Sequence, residues 1–303
     1  MTSTIHPGRR LRELMSGEKM LVAPGAYDAI TATLINRAGF DALYMTGAGT
    51  SASLGFPDYG LLTMSEMVAN AGRMTASVNI PLIADADTGY GNELNVTRTV
   101  HEYERHGAAG IHIEDQGFPK RCGHLDNKEI IPAEDFVAKI RAACDARRSK
   151  DFVIIARTDA RAMAGLDEAI SRANAALEAG ADVAFVEAAQ TMEEVEAIPK
   201  RVQGPCLLNI VHRGKTPPVT LDAATAMGYK IAILPTLLFR HVLGCCEDVL
   251  DAVKSGTIPA PIGDISPAEA FSRFGADDWD ELRTKFRDTE KNTASAGRTQ
   301  AAE

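Results

Sequence analysis

The chain has 303 residues, of which 45% are hydrophobic and 24% charged, so it can bury the core of one large α/β barrel or of two smaller domains. Its net charge of -9 and its scattered lysines and arginines argue against a nucleic-acid partner. No signal peptide is recognisable and no apolar run approaches about 18 residues, so we expect no membrane association and a cytoplasmic protein.

Cysteine and histidine spacing gives no metal or disulfide signature. The five cysteines form no CxxC pair and no Cys/His ligand pattern, and the seven histidines include no HExxH motif. A bound metal would therefore need oxygen ligands, which carboxylates supply.

The same pattern recurs along the chain: a short apolar run, a glycine or polar residue at its end, a helical stretch and a glycine stop. It follows an amphipathic helix at residues 6–16. The eight apolar runs are Met20–Ala23, Leu43–Met45, Leu82–Ala84, Ile111–Ile113, Phe152–Ala156, Val183–Val186, Leu207–Leu208 and Ile231–Leu234. Eight alternating units over about 240 residues predict an α/β fold, the (β/α)8 TIM barrel. A doubly wound sheet is the alternative, but it would concentrate polar residues at one switch point rather than at nearly every strand end.

The pattern changes after the eighth unit. An extended linker at residues 256–261 is followed by a helix that begins at Ser266-Pro267 and by a last helix over residues 277–288. We expect a catalytic barrel over residues 1–258, a C-terminal helical arm over residues 259–290 and a disordered polar tail over residues 291–303. The arm needs a surface for its apolar side chains, either its own barrel or a neighbouring subunit.

The fourth apolar run leads into an unusually long connection. The run ends on Glu114 and Asp115, and the next helix start lies at Pro132. A loop longer than about 12–15 residues without structure of its own is usually functional, so residues 116–131 predict a lid or binding loop. Its predicted hinges are Gly117, Pro119 and Gly123.

One cysteine of this loop has a chemically distinctive setting. Cys122 lies between Lys120-Arg121 and His124, whose positive charges favour the thiolate and allow proton exchange near neutral pH. An ordinary surface thiol is the alternative for such a residue taken alone.

Polar residues at the strand ends converge on one rim if the strands close into a barrel. They are Tyr44, Thr46, Gly47, Ala48, Asp85, Asp87, Glu114, Arg157, Glu187 and Asn209. Asp85, Asp87 and Glu114 are hard oxygen donors suited to Mg²⁺ or Mn²⁺, although each carboxylate alone could be a helix cap. Backbone N–H groups at residues 46–50 can hold an anion, although such a run alone could be an ordinary turn, and Arg157 adds a charged donor. The set predicts a site for a small polyanionic acid.

Three runs carry a resemblance to a known family. They are Asp85-Ala86-Asp87-Thr88-Gly89-Tyr90-Gly91, Ile113-Glu114-Asp115 and Lys120-Arg121-Cys122-Gly123-His124. They resemble the isocitrate lyase/phosphoenolpyruvate mutase superfamily, in particular its short lyases of the 2-methylisocitrate lyase and 2,3-dimethylmalate lyase type. The match extends from about Val22 to Pro235. It implies a barrel whose eighth helix is swapped between subunits and a homotetramer built as a dimer of dimers. It also implies Mg²⁺, with Mn²⁺ as an alternative, bound through waters to the three carboxylates.

The resemblance also implies an activity and residue roles. The substrate would be a 2-hydroxy di- or tricarboxylate whose C2–C3 bond breaks to give a 2-oxoacid such as pyruvate and an enolate that Cys122 protonates. The other implied catalytic residues are Tyr44, Lys120, His124, Arg157 and Glu187. The implied substrate-binding residues are Thr46, Gly47, Ala48, Asp58, Gly123, Asn209 and Pro235.

One segment departs from the lyase pattern. His212 stands where these lyases carry Glu, and Arg213 stands where Gly or Phe is common. We expect both residues to contact the distal half of the substrate, and 2-methylisocitrate itself becomes less favoured. Oxaloacetate acetylhydrolase or decarboxylase activity, on a 2-oxo acid, is the alternative. A barrel that only binds a metabolite, with Cys122 as a redox-sensitive thiol, is an alternative of another class.

Overall fold

The computed structural model describes residues 6–123 and 128–299 of the chain. The chain forms two compact units, which divide between Cys245 and Cys246. The predicted end of the catalytic domain at residue 258 lies inside the second unit, and the predicted domain boundaries stay predictions.

The first unit is built on eight parallel strands. They are β1 Leu21–Ala26, β2 Leu43–Met45, β3 Leu82–Asp85, β4 Gly110–Glu114, β5 Val153–Thr158, β6 Val183–Val186, β7 Leu207–Asn209 and β8 Ile231–Leu234. Hydrogen-bonded neighbours run in the order β6-β5-β4-β3-β2-β1-β8-β7, and a parallel bridge from Ala184 to Cys206 lies between β6 and β7. The predicted (β/α)8 TIM barrel is therefore confirmed.

Helices connect these strands. In the described part of the chain they are α1 Pro7–Met15, α2 Ala29–Arg37, α3 Gly47–Ser53, α4 Met64–Ser77, α5 Glu93–Arg105, α6 Ala133–Asp145, α7 Ala160–Ala164, α8 Leu166–Glu178, α9 Met192–Arg201, α10 Leu221–Met227 and α11 Leu237–Lys254. The hydroxyl of Thr46 accepts the N–H of Gly49 at 3.3 Å and so caps α3 directly after β2. This cap presents the backbone of residues 47–49 at the rim. No described helix is both long and apolar enough to cross a bilayer.

Apolar side chains fill the barrel because parallel strands are buried on both faces. Ile83 and Ile155 belong to an inner cluster that Leu11 of α1 joins, and Leu11 is fully buried. On the same helix, Arg12 Nε donates to the carbonyl of Asp151 at 2.9 Å, just before β5 begins. Helix α1 therefore covers the N-terminal end of the barrel, while the C-terminal end carries the chemistry.

Strand register places ionisable residues side by side. Asp85 at the end of β3 pairs with His112 of β4, and Glu114 at the end of β4 pairs with Arg157 of β5. Alternation along a strand puts His112 and Glu114 on the same face of β4. Four ionisable side chains from three adjacent strands therefore meet near one rim.

The second unit contains the end of α11 and two further helices, α12 Pro267–Ser272 and α13 Ala276–Thr299. The hydroxyl of Ser266 caps α12 as predicted, since it accepts the Glu269 N–H at 3.3 Å. Helix α13 continues to Thr299, past its predicted end at residue 288 and into the predicted disordered tail. Residues 300–303 of that tail lie outside the described residues.

Candidate active site

A small cavity of about 40 Å³ lies at the C-terminal mouth of the barrel. Most of the predicted site residues line it: Tyr44, Thr46, Ala48, Asp58, Asp85, Cys122, Gly123, Arg157, Glu187, Asn209 and Pro235. Four residues that the sequence did not single out complete the wall: Phe185, Val211, Ile233 and Thr236. The cavity is therefore lined by both charged and apolar side chains.

Two predicted substrate-binding residues lie away from this cavity. His212 and Arg213 are exposed and line a separate cavity of about 310 Å³ in the loop between β7 and α10, whereas Val211 reaches the central cavity. The contact of His212 and Arg213 with the distal half of the substrate stays a prediction. His124 lies outside the described residues.

A buried histidine links the residues of β2, β3 and β4. His112 Nε2 lies 2.7 Å from the hydroxyl of Tyr44 and 3.4 Å from Asp85 Oδ1. Burial lowers the pKa of His112 to about 4, so the imidazole is neutral near pH 7. Sequence reasoning missed this residue. The available signal was its position two residues before Glu114, which places both side chains on one strand face.

The carboxylate of Asp85 receives several donors. Its Oδ2 accepts from the Tyr44 hydroxyl at 3.3 Å and from the N–H of Gly47 at 3.2 Å, and its Oδ1 accepts from the N–H of Asp87 at 2.9 Å. Burial opposes ionisation, but His112 and the cations of the site outweigh it and hold the pKa of Asp85 below its ordinary value. Asp85 is therefore an anchored carboxylate.

A lysine from the lid holds two further carboxylates. Lys120 Nζ lies 2.5 Å from Asp58 Oδ1 and 2.8 Å from Asp87 Oδ1, and all three side chains are largely buried. Burial, with smaller effects of Asp85 and Asp58, raises the pKa of Asp87 to about 6, although Lys120 opposes the shift. The predicted catalytic Lys120 thus pairs with acidic residues on the metal side of the site.

Arg157 connects acidic residues from three strands. Its Nη1 lies 3.0 Å from Glu114 Oε2, its Nε donates to Asp159 Oδ2 at 2.9 Å, and the Nε also lies 4.0 Å from Glu187 Oε2. Asn209 Nδ2 donates to Glu187 at 3.2 Å. Burial raises the pKa of Glu114 well above its ordinary value. The guanidinium therefore lies in an acidic setting that keeps it charged at the cavity wall.

The donor set fits a divalent metal that keeps part of its water shell. Asp85, Asp87 and Glu114 offer oxygen only, and Glu114 Oε1 is buried without a hydrogen-bond partner among the described residues. Within the same residues, no group of three or more His, Cys, Asp or Glu side chains is arranged to hold a metal directly. Mg²⁺ commonly retains several waters and binds through one or two carboxylates, which matches this looser arrangement.

The described residues of the predicted lid lie against the site. The N–H of Cys122 donates to the carbonyl of Asp58 at 3.2 Å, and Gln116 exchanges two hydrogen bonds with the backbone of Arg121, at 2.8 and 3.0 Å. A Cβ on Gly123 would lie 2.6 Å from both Arg157 Nη2 and Glu187 Cγ. Only glycine allows the lid backbone to approach these side chains so closely.

Known proteins are similar to this chain. A family model described as phosphoenolpyruvate phosphomutase matches residues 11–254. The chain is similar to 2,3-dimethylmalate lyase of Eubacterium barkeri, with 47% identity over 287 residues, which are 94% of this chain and 98% of that protein. It is also similar to 2-methylisocitrate lyase of Aeropyrum pernix, with 48% identity over 252 residues, which are 83% of this chain and 81% of that protein.

Solved structures extend the comparison. Oxaloacetate acetylhydrolase in complex with the inhibitor 3,3-difluorooxalacetate matches with a TM-score of 0.89 and 38% identity, over 92% of this chain and 97% of that chain. Phosphonopyruvate hydrolase in complex with oxalate and Mg²⁺ matches with a TM-score of 0.85 and 31% identity, over 93% of this chain and 99% of that chain. These matches confirm the prediction made from three short runs: the chain belongs to the isocitrate lyase/phosphoenolpyruvate mutase superfamily and is an enzyme of it.

Proposed function

We propose that this enzyme is a Mg²⁺-dependent carbon–carbon lyase. Its substrate is a 2-hydroxy di- or tricarboxylate of the 2,3-dimethylmalate or 2-methylisocitrate type, and its products are a 2-oxoacid such as pyruvate and a second carboxylic acid. One observation carries the proposal. Cys122 lines the same cavity as Asp85 and Arg157, so a proton donor faces the groups that would bind an anionic substrate.

The 2-oxyacid head of the substrate would occupy the polar half of the cavity. Thr46 and Ala48 line it at the start of α3, where backbone N–H groups favour an anion. Arg157 supplies a charged donor to the carboxylate, and the hydroxyl of Tyr44 lies beside Asp85, 3.3 Å from its Oδ2, where it can contact the 2-oxygen. These contacts hold the C2–C3 bond below the lid.

Asp85, Asp87 and Glu114 are the residues that would hold a metal. When bound, Mg²⁺ supplies positive charge that stabilises the oxyanion forming on the 2-oxygen. The carboxylates of this chain fix the metal's place, since Asp85 is anchored by the N–H groups of Gly47 and Asp87.

Cys122 completes the reaction as the acid. The 2-hydroxyl gives its proton to a base on the cavity wall, for which we propose the carboxylate of Glu187, and C2 becomes the carbonyl carbon of the 2-oxoacid as the C2–C3 bond breaks. The electron pair of that bond stays on C3 as the enolate of the second acid, and the thiol of Cys122 donates its proton to that carbon. The lid excludes water, so the proton comes from the positioned thiol. Positioned acid catalysis is typically worth about 10²–10⁴-fold in rate.

The proposal is tested by a screen of 2-hydroxy and 2-oxo acids with coupled detection of 2-oxoacid or oxalate release. We expect pyruvate release from a substituted malate or isocitrate, loss of turnover in excess EDTA, and a rate about 10²–10⁴-fold lower in Cys122→Ser. Near wild-type turnover of Cys122→Ser on its best 2-hydroxy acid would remove Cys122 as the acid. Full activity in excess EDTA would show that the reaction does not require a metal.

A second candidate activity is hydrolysis or decarboxylation of oxaloacetate. The chain matches the structure of an oxaloacetate acetylhydrolase with a TM-score of 0.89, which supports this second activity. A 2-oxoacid would use the same head-group contacts. Oxalate release from oxaloacetate, faster than any pyruvate release, would select this activity instead.

Three further proposals rest on the family. The enzyme acts in the cytoplasm and assembles as a homotetramer, a dimer of dimers in which the eighth barrel helix is swapped. The lack of any buried residue on α11 supports an exchange of this helix.

His212 and Arg213 stay candidates for binding the distal half of the substrate. Because both residues are exposed, their loop would have to move for them to contact the substrate.

A further inference from the structure

Lys128 is a buried lysine at the far end of the lid that the mechanism above does not use. Its side chain is only 1% exposed, and its Nζ donates to two groups. One is the carbonyl of Gly123, at 2.6 Å, and the other is Asp159 Oδ1, also at 2.6 Å. Burying a charged group is costly unless it is paired and hydrogen-bonded, and removing one partner of such a pair is strongly destabilising.

Asp159 ties this lysine to the substrate-binding wall. Its side chain is fully buried and also accepts from Arg157, from Nε at 2.9 Å and from Nη2 at 3.3 Å. Its own N–H donates to Asp115 Oδ1 at 2.8 Å, which fixes the backbone of Asp159. Asp159 therefore lies between two cations, one on the lid side and one at the cavity.

The carbonyl held by Lys128 belongs to the residue next to the proposed acid. Gly123 packs against Arg157 and Glu187 so tightly that a Cβ would lie 2.6 Å from each. On the other side of Cys122, Lys120 and Gln116 hold the lid through separate contacts. The position of Cys122 thus depends on Gly123 from one side, and Gly123 is held by Lys128.

We infer that Lys128 is a positioning residue that couples the lid to the substrate-binding wall: through Asp159 it aligns Cys122 over the same guanidinium that binds the substrate carboxylate. The inference deepens the proposed function, since it rests on Cys122 as the acid. Lys128 itself touches no reacting atom. Its effect on the reaction passes through the placement of Gly123 and Cys122.

The first test is kinetic, with Lys128→Met as the variant and Lys150→Met, which removes an exposed lysine, as the matched control. A misplacement of about 1 Å can cost about 10²-fold in rate, so kcat of Lys128→Met should fall by about that factor while KM changes little. In a Cys122→Ser background the same substitution should cost less than about threefold, because residues that act as one unit are not additive. An equal loss in both backgrounds would overturn the inference.

The second test needs no turnover. We expect iodoacetamide to alkylate Cys122 at least about tenfold faster in Lys128→Met than in Lys150→Met, read by peptide mass spectrometry at the plateau of the pH profile, where the thiol is fully ionised. An unchanged rate in folded Lys128→Met would overturn the inference. The alkylation rate can be measured without any lyase substrate. A negative result in this test can therefore be distinguished from a failure of the proposed function.

A conservative variant covers the case in which Lys128→Met does not fold. Lys128→Arg keeps the charge beside Asp159, but the larger guanidinium has to displace the Gly123 carbonyl. We expect folded protein in which Cys122 is alkylated faster than in wild type, and in which kcat is reduced more than KM is raised. Wild-type alkylation and wild-type kcat in Lys128→Arg would contradict the positioning role.

Discussion

Gly47 faces the carboxylate of Asp85 so closely that no side chain fits between them. A Cβ built on Gly47 would lie 2.5 Å from Asp85 Oδ2, the same oxygen that accepts the Gly47 N–H at 3.2 Å. Glycine is therefore needed here because a larger side chain would clash with Asp85, and not because the backbone has a positive φ. It lets a main-chain donor fix the carboxylate that anchors the proposed metal.

We predict that Gly47→Ala displaces Asp85 and weakens Mg²⁺ binding. Groups that orient metal ligands typically contribute about 10–100-fold to metal affinity, so we expect a loss of that size. Isothermal titration with Mg²⁺ measures it directly. Gly244→Ala is the matched control, because a Cβ there meets nothing within 4 Å. Equal Mg²⁺ affinity in both variants would show that Asp85 adjusts without cost.

At the residue scale, the sequence predicted which residues belong to the site better than it predicted where their side chains lie. Asp85, Arg157 and Cys122 could be named because strand ends of a barrel face one rim and because a long loop follows β4. His112 could not, since one polar residue in an apolar strand also fits a satisfied core histidine. The spacing rules gave no such guidance for Arg213, which has a φ of 58° and lines a separate cavity, and its contact with the substrate stays a prediction.

At the scale of elements, α5 supports the end of β3. The hydroxyl of Tyr103 on this helix donates to the carbonyl of Asp85 at 2.9 Å and lies 3.1 Å from the hydroxyl of Tyr90. The turn between them is strained, with φ of 47° at Asp87 and 61° at Tyr90. A buried helix-to-strand hydrogen bond therefore stabilises a turn that holds two proposed metal-site carboxylates.

We predict that Tyr103→Phe lowers the free energy of unfolding by about 1–3 kcal/mol, because it leaves the buried Asp85 carbonyl without its donor. Tyr90→Phe removes only the outer hydroxyl of the pair and should cost less, about 0.5–1.5 kcal/mol. Urea unfolding followed by circular dichroism compares the two variants. A larger loss in Tyr90→Phe would mean that the Asp85 carbonyl is satisfied in another way.

The eight strands could be located from sequence because each is an apolar run with a polar end and most of them follow a glycine stop. Predicted and observed strands agree in place, as for Val183–Val186 and Ile231–Leu234, since parallel strands are buried on both faces. The pairing register of the strands could not be predicted from the sequence. The pairing of Glu114 with Arg157, which builds the site, depends on the closure of the whole barrel.

At the scale of the whole molecule, α11 presents an apolar surface in the isolated chain. Val242, Leu243, Val249, Leu250 and Val253 are each between 41% and 61% exposed, and the helix has no buried residue. An exposed apolar stripe of this kind marks an interaction surface. A closed homo-oligomer can cover it symmetrically, because each copy offers the same helix.

The last prediction follows from this stripe. Leu243→Asp together with Leu250→Asp should lower the oligomeric state, because a charge placed in an apolar interface is unpaired and costly to bury. Size-exclusion chromatography with light scattering should give a tetramer for the wild type and a smaller species for the double variant. Lys254→Glu, on the same helix but 82% exposed at its side chain, is the control and should stay tetrameric. A wild-type monomer at micromolar concentration would contradict the exchange of α11 between subunits. A tetramer that survives both aspartates would place the interface on another surface of the barrel.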